Sequence, residues 1–174
     1  MSHPTSVHGL RRDQDRLIRL LRDSDSATKT LSGWTGSPIN LRMVSRRDDM
    51  LADSEFADLD LWHTAPVQRR EVCLMDARST VLSAATSVVV LSRLPRAAAS
   101  ELCETDIPLG LVLARLQVRR HTLKVTRKAW AGGEETEVLF EVTARMDVGG
   151  IPVAMVHEKY TEDAVHSAVP EAQP

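Results

Sequence analysis

Residues 137–161 read EVLFEVTARMDVGGIPVAMVHEKYT, and this stretch decides the fold. Two alternating runs, Glu137 to Val148 and Ile151 to Thr161, flank Gly149-Gly150. Period two sends successive side chains to opposite faces of a strand. Gly-Gly supplies the positive φ that a tight hairpin turn requires. The stretch therefore predicts an antiparallel hairpin. A two-residue turn makes cross-strand partners sum to 299, so Glu158 faces Glu141 and Arg145 faces Ala154. One face then carries Val138, Phe140, Val142, Ala144 and Met146 against Ile151, Val153 and Met155, a dry core. The other places Glu158 among Leu139, Thr143, Arg145, Val156 and Tyr160, which suits a pocket wall or a solvated face. Two carboxylates directly opposite repel. Either the register differs or one carboxyl is shifted in pKa. His157 and Glu158 are adjacent on the strand, point to opposite faces and cannot share a metal.

Upstream, the period changes several times. Leu17, Ile18, Leu20 and Leu21 recur at helical spacing from Asp13. Asp23 to Ser26 offers N-caps for a second short helix through Ala27, Thr28 and Leu31. Ile39, Leu41 and Met43 alternate as a strand. Arg46 to Asp60 reads as charged and irregular. Val67 to Met75 and Val81 to Leu91 read as strands, and Pro95 opens a helix through Leu102. Ile107-Pro108-Leu109-Gly110 starts another short helix to about Leu116, and Val118 to Trp130 alternates as a strand. Short helices with many strands closed by a hairpin predict an α+β fold on a largely antiparallel sheet. The domain is expected over residues 13–163, between a flexible tail at 1–12 and a disordered one at 164–174.

Composition narrows the class. A chain of 174 residues is one domain at roughly 100–200 residues each. Its 22 Lys and Arg against 24 Asp and Glu, and only 3% aromatics, speak against a wholesale nucleic-acid binder. Cys73 and Cys103 are too far apart in sequence for a zinc ribbon and too few for a disulfide framework. A reduced, cytoplasmic setting is expected. The polar N-terminus lacks a signal core, and no apolar run approaches the ~20 residues of a membrane span. Nucleotide-binding and nucleophile-elbow motifs are missing. No cofactor and no metal are expected.

Two features carry chemistry. In Gln68-Arg69-Arg70-Glu71-Val72-Cys73-Leu74, period two puts Arg70 in line with Val72 and Leu74. Such an arginine either snorkels at the strand end or clamps an anionic group bidentately. The helix start at Leu109-Gly110 is either an ordinary start or an anion site. The basic stretch Arg115, Arg119, Arg120, Lys124, Arg127 and Lys128 reads as a solvated strand or as a steering surface for an anion or RNA.

Taken in order, Leu20-Leu21, Asp25-Ser26-Ala27-Thr28-Lys29, Arg70 with Val72 to Leu74, Ala84-Ala85, Val88 to Val90, Leu94-Pro95, Asp106 to Gly110, Gly149 to Pro152 and Glu158 make a pattern over residues 15–163. The pattern resembles the chorismate pyruvate-lyase (4-hydroxybenzoate synthase) family, closest to its actinobacterial-type branch. The resemblance implies an antiparallel sheet with helical flaps over a buried ligand. It implies a cofactor-independent lyase turning chorismate into 4-hydroxybenzoate and pyruvate. Arg70 and Glu158 would be its catalytic pair, Arg70 on the ring carboxylate and Glu158 near the ring hydroxyl and departing enolpyruvyl group. Leu109, Gly110, Ala27, Thr28, Thr86 and Arg145 would line the substrate. Ala27 stands where enterobacterial members carry Met, and Thr86 where they carry a second basic residue, with Arg145 as the substitute. The same architecture resembles effector-binding domains of some transcription regulators. A non-catalytic binder of an aromatic acid is therefore the rival reading. A secondary-metabolite enzyme acting on another cyclic acid is the third.

Overall fold

The computed structural model describes residues 7–128 and 137–169. The element order is α1 (Val7–Arg22), α2 (Ala27–Thr35), β1 (Asn40–Met50), β2 (Pro66–Met75), β3 (Val81–Val89), α3 (Arg96–Glu104), α4 (Leu109–Ala114), β4 (Arg119–Arg127), β5 (Val138–Val148), β6 (Ile151–Thr161) and α5 (Glu162–His166). The six strands form one antiparallel sheet in the order β1-β2-β3-β6-β5-β4. The α+β expectation holds.

Several boundaries differ, each for a physical reason. Helix α1 begins at Val7, six residues before Asp13, because buried Leu10 extends the Leu17 stripe by two turns. Strand β1 continues through Arg46 to Met50, which pair with Arg70 to Pro66. An edge strand accepts such charges because one side meets solvent. Strand β3 stops at Val89, and Leu91–Arg93 form a 3₁₀ turn. Residues 164–166 are helical rather than disordered, with Ala164 and Val165 fully buried and the Ala164 carbonyl accepting from Trp34 Nε1 at 2.7 Å. Trp130 and the chain ends at 1–6 and 170–174 lie outside the described residues.

The hairpin register is the main correction. The partners at the turn sum to 299 as expected, but Met146 pairs with Ala154, leaving Val153 as an extra residue. This β-bulge follows Pro152, which has no N–H to give the ladder. From there to Phe140 and Tyr160 the sum is 300, so Glu158 faces Val142 and Glu141 faces Lys159, before a second shift restores 299 at Val138 and Thr161. A one-residue slip exchanges the faces of a strand. Glu158 therefore shares its face with Val142, Ala144, Val156 and Tyr160.

Two apolar clusters pack against the sheet. Helices α1, α2 and α5 bring Leu17, Leu21, Leu31, Trp34 and Val165 against Leu74, Phe140, Val142 and Tyr160. Helices α3 and α4 bring Ala98, Leu102, Val112 and Leu113 against Val89, Met146, Val153 and Ala154. A third, smaller cluster joins Leu51 and Leu59 of the loop after β1 to Val67, Val88 and Val90. No described helix is long and apolar enough to cross a membrane.

Candidate functional site

A cavity of about 930 Å³ opens onto elements of both larger clusters. Its floor is the sheet: Arg70, Val72 and Leu74 of β2, Ala85 and Ser87 of β3, Val156 and Glu158 of β6. Its walls are the connector and first turn of α2, at Asp25 to Lys29, and helix α4 from Leu109 to Ala114. The volume is that of a small-molecule pocket.

Strand alternation explains the floor. Arg70 lies opposite Ser87, and Val72 opposite Ala85, which in turn pairs with Glu158. These residues share one face. Ser26 caps α2 by accepting from the Lys29 N–H at 3.2 Å, which fixes the connector against the cavity. At Gly110 an added Cβ meets no atom within 4 Å.

Arg70 is only 1% exposed. Its Nη1 donates to Gln68 Oε1 at 2.9 Å and to the Leu102 carbonyl at 3.1 Å, and its Nη2 to the Ile107 carbonyl at 2.6 Å. All three acceptors are neutral. Its Nε is buried without a partner. The nearby Asp106 is paired instead with Arg46 at 3.3 Å. Burial pulls the guanidinium below its ordinary pKa, and the Arg46 cation adds to this, against Asp106 and Cys103. Leu102 lies in the last turn of α3, so Arg70 also caps that helix, where a cation suits the dipole.

Glu158 is arranged differently. Its Oε2 accepts from Arg120 Nη2 at 2.7 Å and from the Tyr160 hydroxyl at 2.9 Å. The Arg120 and Glu158 side chains are 2% and 7% exposed. Burial, then the Glu158 charge, holds the Tyr160 phenol well above its ordinary pKa, so it remains a donor. Tyr160 is fixed in turn by stacking on Phe140, with ring centroids 4.7 Å apart.

The structure thus gathers Arg70, Glu158, Leu109, Gly110, Ala27 and Thr28 around one cavity. It excludes two expected members. Thr86 is exposed on the opposite face, between Glu71 and His157, because Ala85 and Ser87 hold the inward positions. Arg145 pairs with Asp147 at 2.9 Å and Asp60 at 3.7 Å, because the bulge leaves it facing Met155 rather than Ala154. The inward cation is Arg120 instead. It stood unmarked in a basic stretch, although it alternates with Val118 and Thr122. The anion reading of the α4 start also weakens, since the Leu111 and Val112 amides already donate to the Pro108 carbonyl in a six-residue helix.

No known family and no curated protein matches the sequence. Solved structures do match. The effector domain of PhnF from Mycobacterium smegmatis is similar with a TM-score of 0.61 at 15% identity, over 79% of this chain and 89% of that one. PhnF from Mycobacterium smegmatis itself matches at 0.62 and 14%, over 90% and 79%. A GntR-family transcriptional regulator from Enterococcus faecalis V583 matches at 0.50 and 14%, over 78% and 99%. The fold is that of these regulator effector domains.

This corrects the expected chorismate pyruvate-lyase family and the expected enzyme. The three structures named are those of transcriptional regulators or their effector domain. The marks behind the resemblance also specify architecture. Ser26 is a helix cap, Gly149-Gly150 a turn at φ 59° and 81°, Pro152 a bulge site and Val88 to Val90 core. Such marks recur wherever the fold does, whatever the cavity holds.

Proposed function

We propose that this chain is a small-ligand binding domain whose cavity takes a small organic oxyanion, without converting it. Arg70 carries the reading. It is a buried cation that faces the cavity, is held by three neutral acceptors and keeps an unused Nε–H. A guanidinium has five N–H donors. Three are spent, which fixes the group, and two remain, the buried Nε–H among them, as unused capacity for a carboxylate or phosphate that settles against it. An uncompensated buried charge is costly, so a bound anion stabilises the folded state. Val72, Leu74, Ala85 and Val156 offer an apolar bed for the ligand body, and Ala27, Thr28, Leu109 and Gly110 its walls. The likeness to a regulator effector domain supports recognition as the role.

Thermal unfolding against sodium salts of small carboxylates and phosphate esters tests this, with sodium chloride at matched ionic strength as the reference. The expected result is stabilisation by at least one subset, lost in Arg70→Met. Gln68→Glu, which neutralises Arg70 while leaving its helix contacts, should abolish the response too. Equal responses in wild type and both variants, or none beyond chloride, would overturn the reading.

A further inference from the structure

Arg120 touches both the cavity and the C-terminal end of α1. Arg120 Nη2 donates to Glu158 Oε2 at 2.7 Å, while Nη1 donates to the Leu21 carbonyl at 2.7 Å. Its main-chain N–H donates to Asp25 Oδ1 at 3.0 Å. Leu21 lies in the last turn of α1, whose final carbonyls have no partner within the helix. A cation there also complements the negative end of the helix dipole. Asp25 lies in the connector between α1 and α2, and residues 25–29 of the connector and the first turn of α2 line the cavity. One buried residue therefore holds a cavity carboxylate and the end of α1 through its guanidinium, and the segment that joins α1 to α2 through its main-chain N–H.

Sharing makes the contacts interdependent. In a dry, low-dielectric site, hydrogen bonds in a chain polarise one another, and a change at one end is felt at the other. An oxyanion that reaches Arg120 attracts the guanidinium away from the Leu21 carbonyl. Loss of charge at Glu158 likewise frees the guanidinium to reorient. We propose that Arg120 couples the cavity to α1, passing a change in charge or hydrogen bonding at Glu158 to the last turn of that helix. As a ligand response this rests on the cavity being the binding site. The physical link itself does not.

Hydrogen–deuterium exchange on the full chain tests the link without any ligand, in peptides covering residues 17–23 with β2 as the internal reference. Glu158→Gln removes the charge and keeps the size. Exchange at the end of α1 should rise by about threefold or more, the scale of coupling between contacting residues, while β2 stays unchanged. In an Arg120→Met background, adding Glu158→Gln should leave α1 exchange within about 1.5-fold, since the connecting residue is gone. An α1 that ignores Glu158→Gln overturns the proposal. So does an equal response with Arg120 absent. Should either variant fail to fold, Glu158→Ala and Arg120→Gln, which also remove the two charges, enter the same cycle under the same criteria. A positive cycle beside a failed oxyanion assay would sink the ligand reading and leave the link standing.

Discussion

Glu158 stands opposite Val142, one residue out of step with the plain two-residue hairpin. The bulge after Pro152 makes the difference, because it offsets β6 by one position from Ala154 to Tyr160. It relieves the carboxylate pair that the simple register would create and gives Glu141 the Lys159 position instead. The cost is a carboxylate among apolar neighbours. Arg120 and Tyr160 offset it through one shared oxygen.

That pair sets the first expectation. Arg120→Met leaves Glu158 buried without its cation, and removing one partner of a buried ion pair costs about 3–5 kcal/mol. Arg120→Met with Glu158→Leu removes both charges and should recover most of the loss. Urea denaturation of the two variants checks this. A single variant that loses less than about 1 kcal/mol would show the pair to be solvated in solution.

Sequence alone reached far on the floor of the cavity and less far on its rim. Arg70 was legible because it alternates with Val72 and Leu74 on a strand whose inward face is apolar. The Thr86 position came from the resemblance, yet strand period alone separates it from Ala85 and Ser87. Arg145 depended on the register, which a bulge changes without altering composition. Arg120 was one cation among six, and only packing decides which one turns inward. Leu10 and the Ala164-Val165 pair were too isolated in sequence to mark their helices, although both are buried.

The glycines separate space from conformation. A methyl at Gly33 or Gly110 meets no atom within 4 Å, and neither has positive φ. Gly→Ala at such helical positions should stabilise by about 0.5–1 kcal/mol. Gly150 has equal space but a φ of 81°, so Gly150→Ala should destabilise by about 1–2 kcal/mol. Gly36, at φ 65°, adds contact with Val169 Cγ1 at 2.9 Å, so its variant should be worse still. Thermal melts of the four variants give the order directly. Equal melting points for Gly33→Ala and Gly150→Ala would contradict the turn geometry.

Acid should weaken the edge of the sheet first. Arg69 donates to Glu55 at 2.7 and 2.8 Å and holds its carboxyl below the ordinary 4.5. The Met50 amide, then Arg69, lowers Asp49. Burial pushes Glu141 up, but Lys128 and His157 outweigh it and leave it lowered. A carboxyl lowered by folding adds stability above its unfolded pKa and loses it as pH falls through the folded value. Stability should therefore fall between about pH 5 and about pH 3. Arg69→Gln should flatten that fall. Urea midpoints across the range measure both slopes, and parallel curves would remove Arg69 from the account.

Gln68 offers the sharpest check on the cavity's charge. Its Oε1 accepts from Arg70, its Nε2 reaches only Cys103 Sγ at 3.7 Å, and the residue is 2% exposed. Gln68→Glu exchanges a neutral acceptor for a carboxylate at the same place. With Arg70 unpaired, this should stabilise the protein, because the carboxylate brings the opposite charge that the buried guanidinium lacks. In an Arg70→Met background the same change buries a lone carboxylate, and its sign should reverse, to a loss of about 1–3 kcal/mol. Thermal melts of the four proteins complete the cycle. A Gln68→Glu that destabilises with Arg70 present would mean that the guanidinium is already compensated, and the cavity would then have no need of an anion.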